Sequence, residues 1–401
     1  MRGVVVLAPV LALFTSAASA QPFGPDTRLL MPDGPLRGSP RIMGLGGAFT
    51  GLADGAEGVI RNFAAIAHGD PRATSELSAD AGFALHFLPP WAARDSDWDN
   101  DGLRDARPGA LTGFLGQQVV YGVGTLRYRW VGLALGIDAQ NFVSETPLGG
   151  FNLSLFHLFG GVGVSLLDGA LLLGAGVEST HGVFAYLENR GLKDTAHYRG
   201  FGFTAGVLWR PANADYRAGL SFHSVGNAPL LRGNEEMGGY VLPGGVVSPA
   251  RVSVGGSVAL GEGGLRLNST GPNRSTPGKP EPRFTRWLVS AQVDVSLPVR
   301  GAATVDAFLG QHERAPLAAG NQPTVTPRLG AERELLEGLF RLRAGTYLEP
   351  ALVPTGQPRP HLTFGYEAFL FWIAGIPVGF GLSLDLARDY KNLSAGFELW
   401  R

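Results

Sequence analysis

Along much of the chain, apolar and polar residues alternate one by one. From Val378 to Leu386, the residues Val378, Phe380, Leu382, Leu384 and Leu386 share one side and Gly379, Gly381, Ser383 and Asp385 the other. That is the period of a strand with two unlike faces. Leu362, Phe364, Tyr366, Ala368, Leu370 and Trp372 oppose His361, Thr363, Gly365 and Glu367 in the same way. Trp287, Val289, Ala291, Val293, Val295 and Leu297 oppose Ser290, Gln292, Asp294 and Ser296. Weaker versions set Val131, Leu133, Leu135 and Ile137 against Gly132, Gly136 and Asp138, and Leu171, Leu173, Ala175 and Val177 against Gly174, Gly176 and Glu178. Such runs suit a tilted membrane strand, which needs about 9–11 residues.

A soluble sandwich alternates as well, so connection lengths decide between the two. Short turns are expected at Tyr128–Arg129, Leu167–Gly169, Pro211–Asp215, Gly261–Gly264, Val299–Gly301, Leu335–Gly338 and Ala374–Ile376. Longer loops are expected near Pro89–Gly116, Gly182–His197, Gly226–Ser248, Gly271–Arg283, Gln311–Thr324 and Pro350–Pro360. Short turns at one end and long loops at the other describe an outer-membrane barrel. Trp130, Trp209, Trp287, Trp372 and Trp400 fall near strand ends, where amphipathic rings favour the headgroup layer. The breaks give roughly 16 strands, including a short one at Leu265–Thr270.

Composition agrees. Charged residues make up 17% of the chain, below the roughly 25% of soluble domains. A net charge of -1 gives no electrostatic case for nucleic acid. With no cysteine, disulfides and thiol chemistry are excluded. After the first 20 residues, no apolar run reaches the roughly 18 residues of a helical span. Those first residues, with Arg2, an apolar stretch Val4–Phe14 and Ala18-Ser19-Ala20 before Gln21, read as a cleavable export signal. The chain therefore divides into a signal at 1–20, an N-terminal plug at 21–74 and a barrel at 75–401.

The plug expectation rests on Arg41–Gly69, RIMGLGGAFTGLADGAEGVIRNFAAIAHG, where Gly44, Gly46 and Gly47 permit tight turns and close backbone approach. Gly44-Leu45-Gly46-Gly47-Ala48-Phe49, Ala53-Asp54 and Asn62 resemble the N-terminal region of the FadL/TodX outer-membrane family, including its PorV-like relatives. Phe63 stands where that family usually has Pro. The resemblance implies an all-β fold, a closed antiparallel transmembrane β-barrel of about 14 strands, with about 16 left open by the count above. It also implies passage of long-chain fatty acids or other hydrophobic molecules across the bacterial outer membrane. A PorV-like shuttle or scaffold with a secretion-system partner, and a non-specific porin, are the alternatives. The last strand ends in Trp400-Arg401, an aromatic signal for the barrel assembly machinery with one residue added.

The inward faces carry Asp138, Glu178, Arg217, His223, Asp294, Arg341, Arg343, Glu367 and Asp385. A solvated lumen whose charges pair with one another is one reading and a ligand pathway the other. No G-x-S-x-G, H-E-x-x-H or P-loop occurs, and an enzyme is not expected. The most specific chemical motif is Asp95–Asp105, DSDWDNDGLRD. Asp97, Asp99 and Asp101, a turn at Gly102, the Leu103 carbonyl and Asp105, with Asp95 nearby, have the oxygen spacing of a Ca²⁺ loop. A solvated acidic loop is the alternative.

Overall fold

The outward apolar faces and inward polar faces close on themselves. In this computed structural model the described residues are 24–31, 36–68, 76–87, 97, 100, 117–146, 149–188, 191–212, 214–233, 235–261, 267–268, 287–309, 311, 318–336, 340–354, 356–373 and 376–400. The signal at 1–20 lies outside them. The barrel strands are β1 (Leu77–Phe87), β2 (Gln117–Tyr128), β3 (Val131–Thr146), β4 (Gly149–Leu166), β5 (Leu171–Glu188), β6 (Gly191–Trp209), β7 (Tyr216–His223), β8 (Arg251–Leu260), β9 (Trp287–Ser296), β10 (Thr324–Leu336), β11 (Phe340–Glu349), β12 (Arg359–Ile373), β13 (Ile376–Ala387) and β14 (Tyr390–Trp400). Each pairs antiparallel with its neighbours, and β14 returns to β1 from Asp80↔Trp400 to Phe87↔Leu393. The barrel is therefore 14-stranded and closed, leaving none of these strands as an open edge in lipid.

Leu133, Leu135, Val177, Phe203, Leu329, Leu362 and Phe364 are exposed on the outer face. Tyr128, Trp130, Trp209, Tyr216 and Trp287 form an exposed aromatic rim at the end closed by turns. Both β1 and the end of β14 meet that turn end, and most of the longer connections leave from the opposite, loop end.

Several connection expectations are corrected. Gly182–His197 is not a loop: β5 and β6 run through it and connect at 189–190. There the two faces exchange character, with Phe184, Tyr186, Ala196 and Tyr198 buried inward and Lys193, His197 and Arg199 exposed. The extended ends of β4–β6 pack on loop residues. Phe151 meets Tyr240 with ring centroids 4.8 Å apart, and Phe184 meets Phe308 at 5.3 Å. Val299–Gly301 is no turn between barrel strands, because it falls within the loop-end connection from β9 to β10. Gly261–Gly264 and Gly271–Arg283 both belong to one long connection between β8 and β9, at the turn end. The extra strand at Leu265–Thr270 is absent among its described residues, Leu267 and Asn268, which form a turn.

At the loop end, Arg28–Leu30 lies parallel between Gly245–Ser248 and Ala302–Ala303. Gly226–Arg232 continues the line of β7 and pairs with β6 and with Gly245–Ser248.

The outer face can be tested at Leu135, which is 73% exposed. Leu135→Arg should cost about 2 kcal/mol or more in reversible unfolding from lipid vesicles, whereas Leu135→Phe should be neutral. Equal stability of Leu135→Arg and the parent would show that this face does not meet lipid.

Candidate functional site

Between Arg28–Leu30 at the loop end and β1 at the turn end, residues 36–68 run through the bore and are almost all buried. Helix α1 (Pro40–Gly44) starts at Ser39, whose hydroxyl accepts from the Ile42 amide. It lies against β11–β14. Gly46 and Gly47 then take positive φ, +62° and +76°, and turn the chain along the wall. Phe49 N and Thr50 N both donate to the Gln292 side chain of β9, at 2.9 and 2.8 Å. Asn62 is fully buried. Its amide donates to Thr50 O at 2.9 Å and Val207 O at 3.1 Å, and its oxygen accepts from Ala64 N at 3.0 Å, starting the 3-10 turn Phe63–Ala67. Phe63 packs edge-on against Phe159, with ring centroids 6.2 Å apart.

The wall receives this segment with glycines. A Cβ on Gly132 of β3 would lie 2.2 Å from Ile66 O, on Gly163 of β4 2.8 Å from Ala67 N, and on Gly174 of β5 2.0 Å from Phe63 O. On Gly206 of β6 it would lie 1.9 Å from the Asn62 side chain, and on Gly219 of β7 2.1 Å from Thr50 O. Gly255, Gly330, Gly345 and Gly365 of β8, β10, β11 and β12 face Gly51, Leu45, Gly46 and Gly44 in turn. Gly381 and Gly396 of β13 and β14 receive Pro40. The sequence signal was a glycine on the inward side of strand after strand, of which the alternation displayed Gly132, Gly174, Gly365 and Gly381 without showing what they faced.

The inward charges are paired, and many of their partners come from the bore segment. Arg41 reaches Glu57 at 3.0 Å, Asp54 at 3.3 Å and Glu332 at 2.9 Å. Arg343 binds Glu332 at 2.6 Å and also Glu367. Arg341 lies 3.7 Å from Glu334 and 3.8 Å from Glu367. Arg217 donates to Leu52 O at 2.9 Å, Leu267 O at 2.6 Å and Asn268 Oδ1 at 2.8 Å, and lies 3.3 Å from Asp54. It thus joins the bore segment to the β8–β9 connection. Asp138 holds Arg37 at 2.8 Å, Glu178 holds His157 at 2.7 Å and Asp294 holds Arg328 at 2.7 Å. Asp385 holds His361 at 2.8 Å and accepts from the Tyr347 hydroxyl at 2.7 Å.

Two openings adjoin the filled bore. The first is a mostly apolar cleft at the loop end, lined by Leu30, Met31, Leu297, Val299, Pro350 and Leu352, with Arg328, Tyr347 and Glu349 on its polar side. The second marks an interruption of the wall. Ser224–Val225 separates β7 from Gly226–Arg232, and Pro249–Ala250 separates Gly245–Ser248 from β8 at the same height, between the pairs His223↔Arg251 and Gly226↔Ser248. Arg37, Glu178, Thr180, His223, Ser248 and Arg251 line it, with Phe203 and Pro249.

Of the residues expected to hold calcium, Asp95, Asp99, Asp101, Leu103 and Asp105 lie outside the described residues. Asp97 is buried, its amide donating to Asp389 O at 2.8 Å, and its carboxylate lies 3.8 Å from Arg359. That guanidinium is a cation already beside the one described candidate ligand.

The fit of segment to wall can be tested at Gly174. Gly174→Ala should leave a heat-modifiable barrel but expose Arg41 and Arg61 to trypsin, because the added methyl meets backbone. Trypsin resistance equal to the parent would show that the wall tolerates a side chain there.

No family model matches the chain, and no curated protein matches it. Among solved structures, the CymD monoaromatic hydrocarbon channel superposes with a TM-score of 0.56 at 12% identity, covering 92% of this chain and 97% of that one. A Pseudomonas aeruginosa FadL homologue gives 0.48 at 14% identity, covering 96% and 98%. The P. putida toluene transporter TodX gives 0.46 at 12% identity, covering 86% and 93%. This chain thus shares its barrel fold with the CymD channel over nearly the whole of both chains.

Proposed function

We propose that the chain is an outer-membrane channel for small hydrophobic molecules. The observation that carries this reading is the apolar cleft of Leu30, Met31, Leu297, Val299 and Leu352, set at the loop end directly above a bore that residues 36–68 fill. A bore so filled does not suit a non-specific porin, which needs a wide aqueous lumen. An apolar cleft gathers a poorly soluble molecule by removing its surface from water, worth about 25 cal/mol per Å², and needs no energy source to do so. The structural neighbours named above are channels rather than enzymes, and their names speak of hydrocarbons and toluene. Long-chain fatty acids are the other substrate class of this reading. In its setting, the loop end faces outwards, the export signal delivers the chain and the C-terminal strand is handed to the barrel assembly machinery. A PorV-like role with a secretion-system partner is the second reading in rank, and no feature among the described residues of the loop end singles it out.

The segment in the bore is, on this proposal, a plug whose displacement admits the ligand. Deleting residues 41–69 should raise single-channel conductance in a planar bilayer severalfold, provided the variant is heat-modifiable like the parent. An assembled deletion variant with unchanged conductance would remove the plug from the proposal. Leu297→Asp, which puts a charge into the cleft, should abolish binding of a fluorescent fatty acid or of toluene. Unaltered binding of both would remove the cleft.

A further inference from the structure

The outward side of β6 changes character along its length. From the aromatic rim at the turn end, Trp209 is followed by Val207 and Ala205 and then by Phe203 and Phe201, both well exposed. Arg199 and His197 come next on the same side and are exposed. His197 stands opposite Arg232 of the neighbouring Gly226–Arg232 stretch, which is exposed as well. Ten residues lead from Trp209 to Arg199, about 33 Å of strand and about 25 Å of height once the strand is tilted by about 40°. That is the height of the apolar band of an outer-membrane barrel. Arg199 therefore stands where the band ends and the headgroup layer begins, with His197 and Arg232 just beyond it.

The acids nearest these cations lie elsewhere than on the outer wall. Glu178 of β5 turns inward to His157 at 2.7 Å. Asp194 of β6 stands opposite the buried Tyr186 and accepts from the Thr195 amide at 2.8 Å. Glu236, past Arg232, belongs to the loop-end hairpin in which it faces Val241. Among the described residues, Arg199, His197 and Arg232 have no carboxylate partner. The Arg199 guanidinium stacks on the Phe201 ring at 5.3 Å, a contact that leaves its in-plane N–H groups able to donate. Apolar surface continues beneath and beside the cations: Val177 of β5 stands opposite Phe203, Leu231 adjoins Arg232, and both are exposed.

We propose that Arg199 and Arg232, with His197 beside them, bind a phosphate of an outer-leaflet glycolipid whose acyl chains run down the wall over Phe201, Phe203 and Val177. A guanidinium donates paired N–H groups in one plane and so matches two oxygens of a phosphate. A phosphate free in water would use the cations alone. One carried on acyl chains is also held at the right height by the apolar band, and cations beside a leaflet gain from every anionic headgroup in reach. The site lies on the outside of the barrel and is independent of what passes through the bore.

Thermophoretic titration of the full chain in detergent, with lipid A carrying two phosphates and with the same lipid dephosphorylated, tests the site. The phosphorylated lipid should bind about tenfold or more tightly than the dephosphorylated one. Arg199→Gln/Arg232→Gln should remove that preference and leave the dephosphorylated lipid unchanged. Arg388→Gln, which takes an exposed cation from the turn between β13 and β14, should keep the preference. Equal binding of the two lipids by the parent, an undiminished preference in the double variant, or the same loss in Arg388→Gln would overturn the site. Inorganic phosphate should not displace the lipid, and ready displacement would mark a site for the free ion and overturn the assignment to lipid. Should the double variant fail to assemble, sodium chloride added to the parent serves instead. Salt should weaken the phosphorylated lipid and spare the dephosphorylated one, and equal indifference of both would overturn the site. Each of these failures would leave the channel reading standing, since that reading is judged by conductance and by ligands of the cleft.

Discussion

Room at the wall is the constraint on which the structure depends. A barrel of 14 strands is wider than its own inward side chains can fill, and here the remaining volume is given to backbone. The cost is carried by the strands, which accept glycine at positions where a β-branched residue would strengthen them. In return the segment lies close enough for its amides and carbonyls to bond to wall side chains, as Phe49 and Thr50 do to Gln292 and Ala48 O does to Ser290. Neither partner is self-sufficient. The segment has only short helical turns to satisfy its own backbone, and the wall has a belt of missing side chains.

Charge adds specificity to that fit. Buried ion pairs are weak evidence for stability, because desolvation offsets much of their attraction. Arg41, bound to Glu57 of its own segment and Glu332 of β10, fixes the height and rotation of α1 against the wall. Any slippage takes the Arg41 guanidinium from its carboxylates and leaves it unpaired away from water. The arrangement is less a glue than a register mark. Arg217 does the same for the chain on both sides of it, joining Leu52 and Asp54 to Leu267 and Asn268.

The sequence displayed the membrane belt most clearly, because lipid demands apolar residues on one face whatever the strand's neighbours are. Leu362, Phe364 and Tyr366 show this as plainly in sequence as in the barrel. It displayed the loop end least well. There Phe184 and Tyr198 point inward into a water-excluded roof while His197 and Arg199 point to solvent, so the pattern reverses without any change of strand. The inward charges were legible by position but not by partner. Asp138, Glu178 and Asp385 find an arginine of the bore segment or a histidine of another strand, and pairs so distant in the chain leave no local signature.

The position of Arg28–Leu30 also bears on how the molecule comes to exist. These residues pair with Gly245–Ser248 and Ala302–Ala303 at the loop end, yet the next strand of the same chain, β1, starts from the turn end. A finished cylinder would have to admit this stretch lengthwise past Arg41, Arg217 and Glu332. Wrapping the sheet around a stretch already laid down avoids that passage. Pro40 stands at the place where the wrap would end, against Gly381 of β13 and Gly396 of β14, beside the seam where β14 meets β1. The segment then acts as the former on which the cylinder is rolled, and closing the last seam becomes the step that seals it inside.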